Sequence, residues 1–352
     1  MRRPRLGIIG AGSWTVASHL PNLARHSDEI EFTGICRHGT EILDRLARQY
    51  GFAVASEDYR DVLAAGIDIA VVASPTGLHY EHAKAALEGG AHVMCDKPMT
   101  IDPADAWDLV ETARRVDRQL IIGFGSNYAA MVKGAKALVE EHGIGEFEQM
   151  SIMMASVCRE LLSRTGAYPE ADPDAVPEEA TWTDPALSGG GYAQAQLTHA
   201  LGLGLWLTGA RVQSAYALMS APLDAPVELH DAIALRYDNG AIGVLSGGSC
   251  HRGSGGNKQQ LEVRAIGSEG QIHVDLEREL VWLYRPDGVD IRLPIAPDGG
   301  RYDCTGPIET LVDAGVGRPV ANQSPGELGA RTVEALSLAY RSAQSGTLES
   351  RV

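Results

Sequence analysis

Several features are scarce in this sequence, and each scarcity excludes a class of protein. Among 352 residues there are only five cysteines, too widely spaced for a zinc cluster or a disulfide framework: Cys36, Cys95, Cys158, Cys250 and Cys304. Aromatic residues make up only 6% of the chain. No apolar run approaches the roughly 20 residues that span a bilayer. The sequence therefore predicts a chain without structural metal or membrane span, and its unpaired cysteines fit a reducing cytoplasm.

Positive charge is also in short supply. The chain has 30 Lys and Arg against 46 Asp and Glu, a net charge of −16, which argues against nucleic acid as a partner. Through Gly123 there are 13 basic and 17 acidic residues, whereas the remainder has 17 and 29. The segment from Tyr168 to Asp184 contributes six acids and no Lys or Arg. It is interpreted as a solvated loop or as the cover of a substrate pocket.

The amino-terminal stretch MRRPRLGIIGAGSWTVAS has the basic, apolar and small order of a signal peptide. Glycines interrupt its apolar part, so it is better explained as the first strand of a cytoplasmic protein. Through Gly123, apolar strands alternate with helical patterns over short connections. This alternation predicts an α/β, doubly wound parallel sheet of the Rossmann type over residues 1–123.

Beyond Tyr128 the pattern changes to alternating apolar and polar segments separated by turns, such as Asp238-Asn239-Gly240. These segments predict an α+β domain over residues 124–352, built on a large open antiparallel sheet. We expect this domain to bind substrate. The predicted strands are 146–156, 212–219, 229–237, 241–247, 259–266, 271–275 and 280–284.

A glycine-rich turn follows the first predicted strand. Gly10 and Gly12 let the backbone approach a dinucleotide pyrophosphate, and the helix that begins at Ser13 and Trp14 offers free N–H groups. The third position of this fingerprint is Thr15 instead of Gly or Ala, so the match is incomplete. At the end of the second strand, where an acid commonly binds the ribose hydroxyls, the sequence has Arg37. Arginine fits a 2′-phosphate or stacking on adenine, so the choice between NAD and NADP stays open.

Two further strands end at residues suited to the nicotinamide end of such a cofactor. Ser74, Pro75 and Thr76 follow one strand, with His79 close behind, and Asp96-Lys97-Pro98 follows the next. In an open parallel sheet the carboxyl ends of strands face a crevice. Lys97 is therefore either a reactive or cofactor-holding amine or an exposed turn residue. His79 and His82 lack an evident third ligand, and no metal site is predicted.

The stretch from Ser188 to Gly209 contains three glycines and then a helix carrying His199 among small and apolar residues. A histidine on such a face is often part of the core. The glycine entry and the amides of Gln194 and Gln196 favour a pocket instead.

Together these motifs resemble the Gfo/Idh/MocA family of nicotinamide-dependent oxidoreductases over nearly the whole chain. The resemblance is carried by GIIGAG, ASPTGLHYEHAKAALEGGAHVMCDKP, IGFGSNY, the glycine-to-His199 helix, GSEGQIHV, and the GRPV-to-EAL end. It implies that Lys97 contacts the nicotinamide ribose and the reacting hydroxyl, and that His199 lies beside the substrate alcohol or ketone. Asp96 replaces the usual Glu, Asn127 replaces a common arginine, and Ala195 stands where relatives often have an acid.

The resemblance implies reversible oxidation of a secondary hydroxyl of a sugar, cyclitol or glycoside to a ketone. It also implies a homodimer or homotetramer formed through the exposed face of the large sheet. Histidine titrates near neutral pH, so we predict that His199 takes the proton and that Lys97 polarises the oxygen. This requires the amine and the imidazole to converge over one nicotinamide ring. The acidic second part suggests an amine-bearing substrate such as an aminoglycoside. Tyr128, Tyr192 and the two glutamines are expected to bind substrate, and Asn127 and Asp96 the cofactor. A keto-sugar reductase and a non-catalytic dinucleotide-binding regulator remain alternatives.

Overall fold

The computed structural model describes residues 2–168, 176–250 and 260–351. They divide into two compact units. The first comprises Met1–Gly123 and Asp303–Ala330 with a short segment, 176–181; the second comprises the rest. No helix in the described ranges is both long and apolar enough to cross a membrane.

The first unit is built on a six-stranded sheet in the order β3-β2-β1-β4-β5-β6. Every pairing within it is parallel, as predicted. The strands are β1 (Arg5–Ile9), β2 (Glu31–Cys36), β3 (Val54–Ser56), β4 (Ile69–Val72), β5 (His92–Cys95) and β6 (Leu120–Ile122). The short edge strand β3 was not predicted, because three partly exposed residues carry little periodic signal.

The helices of this unit have recognisable starts. Asp58 and Asp102 accept backbone hydrogen bonds from Arg60 and Ala104, and Pro103 occupies a first-turn position. The helix after β1 covers residues 13–24 and contains a π-helical turn at Thr15–His19 followed by Leu20–Ala24. The remaining helices are Thr40–Tyr50, Tyr59–Ala64, Thr76–Glu88, Pro103–Arg115 and Thr305–Val316.

The core of the first unit explains its parallel sheet. Leu6, Ile8, Ile69, Val71 and Met94 are completely buried. Strands covered on both faces need such continuous apolar runs. Strand order reverses between β1 and β4, and in this class of sheet the ligand crevice lies at that reversal, beyond the carboxyl ends of the strands.

The chain returns to the first unit over Asp303–Ala330, a segment that the sequence prediction had assigned to the second domain. Beside β6, the Ser324 carbonyl accepts a hydrogen bond from the Ile122 N–H at 2.8 Å, and the Ser324 hydroxyl donates to the Ile122 carbonyl at 2.6 Å. This long-range return leaves no local pattern in the sequence.

The second unit is built on a nine-stranded sheet in the order β14-β13-β12-β11-β7-β10-β9-β8-β15. Its strands are β7 (Phe147–Ser156), β8 (Val212–Ser220), β9 (His230–Tyr237), β10 (Ile242–Ser249), β11 (Gln260–Gly267), β12 (Gly270–Asp275), β13 (Leu280–Tyr284), β14 (Ile291–Arg292) and β15 (Glu349–Ser350). The predicted large antiparallel sheet is confirmed except at one pair: β7 and β10 run parallel, so the sheet is mixed. Residue 259, the predicted start of β11, lies outside the described ranges.

The helices that belong wholly to the second unit precede β8 in the chain. They are Gly125–Tyr128 (3₁₀), Ala130–His142, Arg159–Leu162, Pro185–Ser188, Ala193–Leu197 (a π-helical turn) and Thr198–Thr208. Helices Ala180–Thr183 and Gly326–Ser345 cross the limits between the two units. Along β9 buried and exposed residues alternate strictly, which is the pattern of a sheet with one packed face.

Candidate functional site

The glycine-rich turn after β1 approaches the end of β4 closely. Gly10 has φ +94°, and an added Cβ there would lie 2.2 Å from the Ser74 backbone nitrogen. The N–H groups of Gly10 and Ala11 both donate to the Cys36 carbonyl at 3.0 Å, which anchors the turn to the end of β2. The turn is therefore held at the reversal of strand order, where only glycine fits at position 10.

Gly12 differs from Gly10 in its surroundings. It is exposed, and no protein atom lies within 4 Å of an added Cβ. The first N–H groups of the helix that follows, beginning at Ser13, have no acceptor within that helix. This open backbone at a helix start fits a pyrophosphate. Ser13 and Trp14, which the sequence predicts to bind the cofactor, are half-buried.

Thr15, the departure from the glycine fingerprint, is accommodated by burial. Its hydroxyl donates to the Gly10 carbonyl at 2.9 Å, and the side chain is only 1% exposed. It lies at the start of the π-helical turn Thr15–His19. The Thr15 hydroxyl thus stabilises the tight turn through a hydrogen bond that alanine or glycine at this position could not make.

Arg37 folds back over the glycine-rich turn. Its Nη1 donates to the Ala11 carbonyl and its Nε to the His38 carbonyl, each at 3.0 Å. Burial, and next the charge of Arg45, lower the pKa of the guanidinium. The residue therefore braces the turn from the end of β2.

At the end of β4, Ser74, Pro75 and Thr76, which the sequence predicts to bind the cofactor, are partly exposed. His79 is 1% exposed, and its ring nitrogens lie 2.7 Å from the Ser74 carbonyl and 2.9 Å from the Pro98 carbonyl. A neutral imidazole has one N–H, so it donates to one carbonyl at a time. His79 therefore joins the loops after β4 and β5, which does not match the direct cofactor contact predicted for it.

Asp96 and Lys97 follow β5. The Asp96 carboxylate is buried; it accepts the Lys97 backbone N–H at 2.8 Å and lies 3.2 Å from Nε2 of His19. Burial opposes its ionisation, yet the bond to His19 and the charges of His19 and Lys97 lower the pKa of Asp96 to about 2. Asp96 thus holds the backbone at Lys97 instead of facing solvent, while Lys97 itself is half-buried.

The sequence patterns did not indicate His19. It is completely buried in the π-helical turn, and its ring contacts Trp14 edge-on at 6.3 Å. Through Asp96 it links the glycine-turn helix to the strand end that carries Lys97. Its apolar neighbours made it resemble an ordinary core residue, and only its pairing with a residue 77 positions away identifies it.

In the second unit, the glycines before the His199 helix have a packing role. An added Cβ would lie 2.2 Å from the Tyr340 hydroxyl at Gly190 and 2.2 Å from the Glu228 carbonyl at Gly191. The Glu228 carboxylate accepts the Gly191 N–H at 2.9 Å and also a bond from the Tyr340 hydroxyl. The glycine entry was interpreted as a sign of a pocket, but close approach of Glu228 and Tyr340 already requires it.

Tyr192 is completely buried. Its hydroxyl donates to the Met154 carbonyl and accepts from the Ser156 hydroxyl, each at 3.1 Å. This internal pairing does not match the substrate contact predicted for Tyr192. Gln196 donates through Nε2 to the Cys158 sulfur at 3.3 Å. Its Oε1, like that of Gln194, is buried and has no hydrogen-bond partner within the described ranges.

His199 occupies the second position of the helix Thr198–Thr208 and is 3% exposed. Edge-on contacts connect its ring to Phe124 at 6.2 Å and to Tyr302 at 5.2 Å between centroids. The preceding π-helical turn, Ala193–Leu197, includes Ala195. Asn127, which is buried, and Tyr128, which is half-buried, lie on the 3₁₀ helix Gly125–Tyr128.

Asp231, at the start of β9, is a buried acid that no sequence pattern indicated. It is 5% exposed, and neither carboxyl oxygen has a hydrogen-bond partner within the part of the chain that the structure describes. Burial, and next the charge of Glu228, raise the pKa of Asp231 to about 8. The carboxyl is therefore mostly protonated at neutral pH.

We expect Asp231→Asn to flatten the pH dependence of stability. The unfolded carboxyl ionises near pH 4, whereas the folded one does so near pH 8. Preferential protonation of folded Asp231 therefore stabilises the protein fully below pH 4. This stabilisation is lost as the pH rises to about 8, and the free energy of unfolding falls by a few kcal/mol at most. Denaturant titrations at pH 5 and pH 8 measure this. The exposed control Asp224→Asn should keep the wild-type slope, and an unchanged slope in Asp231→Asn would contradict the assignment.

Two further groups bear on the sequence predictions. Glu262, His273 and Asp275 have the spacing of metal ligands. However, Arg264 contacts His273 at 3.1 Å and Arg278 donates to Asp275 at 2.6 Å, so two guanidinium groups disfavour a cation there. Residues 169–175 of the acidic segment Tyr168 to Asp184 lie outside the described residues; Asp184 at its end caps the helix Pro185–Ser188.

Comparison with known proteins agrees with this arrangement. Residues 4–124 match the model of an oxidoreductase family with an NAD-binding Rossmann fold, and residues 132–273 match the GFO/IDH/MocA C-terminal domain. A D-glucoside 3-dehydrogenase of Escherichia coli is 33% identical over 143 residues, 40% of this chain and 40% of that protein. The chain thus matches less than half of that relative's length.

A longer match is myo-inositol 2-dehydrogenase of Thermotoga maritima, 27% identical over 281 residues, 78% of this chain and 76% of that protein. Among solved structures, GenD2 from gentamicin A biosynthesis, in complex with NAD, has a TM-score of 0.78 at 21% identity and covers 100% of this chain and 97% of its own. That likeness shows a shared fold. With both family models matched in order, the chain belongs to the Gfo/Idh/MocA family of oxidoreductases.

Proposed function

We propose that this protein is an NAD(P)-dependent dehydrogenase that oxidises a secondary hydroxyl of a sugar, cyclitol or glycoside to a ketone. The observation that carries the proposal is the edge of the first sheet. There Gly10 lies against Ser74, and His79 joins Ser74 to the loop that carries Lys97. A glycine turn and a lysine are thus held together at the reversal of strand order, where this fold binds dinucleotides.

A bound nicotinamide supplies the hydride acceptor, so the protein has to orient the alcohol and remove its proton. We assign the polarising role to Lys97. The attraction between Asp96 and Lys97 contributes to the lowered pKa of Asp96. That attraction is mutual, so Lys97 is better suited to act as an ammonium that polarises oxygen than as a base.

We propose that His199 is the general base that accepts the proton of the substrate hydroxyl. Imidazole titrates near neutral pH and is the commonest general base in such reactions. Its ring is fixed by edge-on contacts with Phe124 and Tyr302, which restrict its orientation. The amides of Gln194 and Gln196 cannot act as acid or base at neutral pH. We therefore assign them to hydrogen bonds with substrate.

The unsatisfied groups of the second unit suit a donor-rich ligand. Oε1 of Gln194 and Oε1 of Gln196 are buried acceptors without partners among the described residues. The oxygens of Asp231, whose carboxyl is mostly protonated at neutral pH, also lack partners there. Buried polar atoms are normally paired, and hydroxyl or ammonium groups would pair them. This supports a polyol and extends to one bearing amines, such as an aminoglycoside or aminocyclitol. The acidic excess beyond Gly123 supports the same extension.

The relatives agree with the polyol class. The two curated relatives are named for a glucoside and for myo-inositol, and the structural neighbour belongs to gentamicin A biosynthesis. The same site serves a reductase of keto-sugars, because hydride transfer is reversible. A dinucleotide-binding regulator without turnover is the alternative from another class, and Ala195 in place of the family acid is the observation that favours it.

The test is formation of reduced cofactor, followed by absorbance, with a panel of neutral sugars, cyclitols, aminoglycosides and anionic sugars. We expect turnover with hydroxyl-rich substrates. Affinity for amine-bearing substrates should fall as salt rises, since screening weakens charge attraction. Cofactor binding without turnover of any substrate in either direction would favour the regulator, and stronger binding of anionic sugars would exclude the amine preference.

We also propose that the outer face of the second sheet binds a second copy of this chain. Leu218 is 65% exposed, Val244 46%, Met153 45% and Tyr216 40%. Strand register joins them across the face, since Tyr216 and Val244 both lie opposite Ala234. A two-fold interface uses the same patch on both subunits, so this apolar face of one copy would be buried against the same face of the second copy. A monomeric mass by light scattering would contradict it.

A further inference from the structure

The choice between NAD and NADP depends on the surroundings of the adenosine ribose, at the ends of β2 and β3. These neighbouring strands pair in parallel up to Cys36 and Ser56. The residues that follow them, Arg37 and Glu57, therefore lie at the same edge of the sheet. One is a cation suited to a 2′-phosphate, and the other is an anion suited to ribose hydroxyls.

Glu57 is positioned at the start of the helix Thr40–Tyr50. Its Oε1 accepts the backbone N–H of Gly39 at 2.6 Å, and Gly39 is the capping residue of that helix, with φ +90°. Glu57 and Gly39 are both exposed, so a ligand can reach them. A carboxylate at the end of β3 thus lies at the edge of the sheet where this fold commonly has a ribose-binding acid at the end of β2.

Three acidic side chains act on the end of β2. Burial, and then the charges of Asp58, Asp61 and Glu57, raise the pKa of the Cys36 thiol at the end of β2 to about 11. All three acids therefore act on the end of β2. A 2′-phosphate carries nearly two negative charges and would compete with Glu57 for the Gly39 N–H.

Arg37 uses two of its five N–H groups to bind backbone carbonyls. They are the carbonyls of Ala11 and His38, and the Arg37 guanidinium is half-buried over the glycine-rich turn. Its bonds to backbone carbonyls serve NAD and NADP equally, because both share the pyrophosphate that this turn would hold.

We propose that the protein selects NAD over NADP and that Glu57 is the residue that determines this selection. The inference rests on the proposed dinucleotide-binding function. It assigns Glu57 to the ribose hydroxyls and Arg37 to support of the turn.

Equilibrium binding of NADH and NADPH to the full chain, measured by calorimetry, tests the proposal without requiring turnover. We expect wild-type protein to bind NADH at least about tenfold more tightly, since one like-charge pair at contact distance costs roughly a factor of ten. In Glu57→Gln the difference in affinity between NADH and NADPH should become smaller, mainly because NADPH binds more tightly.

Two variants separate this mechanism from others. Glu41→Gln removes an equal charge from the exposed first turn of the helix Thr40–Tyr50 and leaves the contact between Glu57 and Gly39 intact. It should leave the ratio of the NADH and NADPH dissociation constants nearly unchanged. Arg37→Ala should weaken both cofactors by similar factors. Two results would overturn the role of Glu57. One is loss of NADPH binding alone in Arg37→Ala, and the other is a change of the NADH-to-NADPH affinity ratio in Glu41→Gln as large as that in Glu57→Gln.

The remaining outcomes distinguish the choice of cofactor from the binding of any dinucleotide. Tighter binding of NADPH than NADH by wild-type protein would overturn the inference and leave the dinucleotide-binding function intact. Binding of neither cofactor by protein with a normal thermal transition would overturn both.

Discussion

Replacing His199 with Ala is expected to lower kcat by about 100-fold to 10,000-fold, the range that a positioned general base contributes. His199 is 3% exposed and its ring is fixed by Phe124 and Tyr302, so the substitution removes an oriented proton acceptor and not a mobile side chain. Dissociation constants for NADH, measured by calorimetry, should change little because the glycine-rich turn is untouched. Steady-state kinetics with the best substrate of the panel measures the effect.

The controls address packing and charge. Truncating a buried imidazole leaves a cavity, so thermal transitions of the variant must be compared with those of His199→Asn, which keeps more of the volume. His142→Ala removes an exposed histidine from the end of another helix of the second unit and should have wild-type kinetics. If His199→Asn is folded and retains full turnover, His199 is a core residue and the proposed mechanism is wrong.

Gly10→Ala should damage folding and cofactor binding together. The new Cβ would lie 2.2 Å from the Ser74 backbone nitrogen, and φ +94° is strained for alanine. A left-handed backbone alone costs about 1–2 kcal/mol, and the overlap involves backbone that cannot rotate away. We expect a loss of about 3 kcal/mol in total, which corresponds to roughly 6–12 °C in Tm for a domain of this size.

Gly12→Ala provides the matched comparison. It adds the same methyl group two residues away, where no protein atom lies within 4 Å. The Tm should therefore stay near that of the wild type, while affinity for NADH falls at least about tenfold because the methyl group occupies the space into which the pyrophosphate would fit. A variant with unchanged NADH affinity would show that the dinucleotide does not approach this turn.

The first unit was largely predictable because its signals are local. Helices Thr40–Tyr50 and Tyr59–Ala64 and strand β5 are each bounded by nearby breaking or capping residues. The second unit was less predictable in topology. Alternation of buried and exposed residues indicates strands but carries no information on their order, so the parallel pairing of β7 with β10 was missed.

The candidate site divides in the same way. Gly10, Gly12 and Lys97 stand out in the sequence because each directly follows an apolar strand, where a parallel sheet places its ligand crevice. His19, Glu57 and Asp231 do not, because a buried histidine, an exposed glutamate and an acid in a strand are ordinary locally. Tyr192 and His79 resembled ligand-binding residues, yet their polar atoms pair internally.

The amino-acid sequence by itself determined the fold class, the family and the positions of the glycine turn and the strand-end lysine, because these depend on neighbours within a few residues. Only the tertiary structure decided which polar groups are satisfied internally and which acid lies beside the end of β2. The bond from Gly39 to Glu57 and the pairing of His19 with Asp96 join residues 18 and 77 positions apart. Such pairings arise from packing between strands and helices, and packing leaves no periodic signal in the sequence.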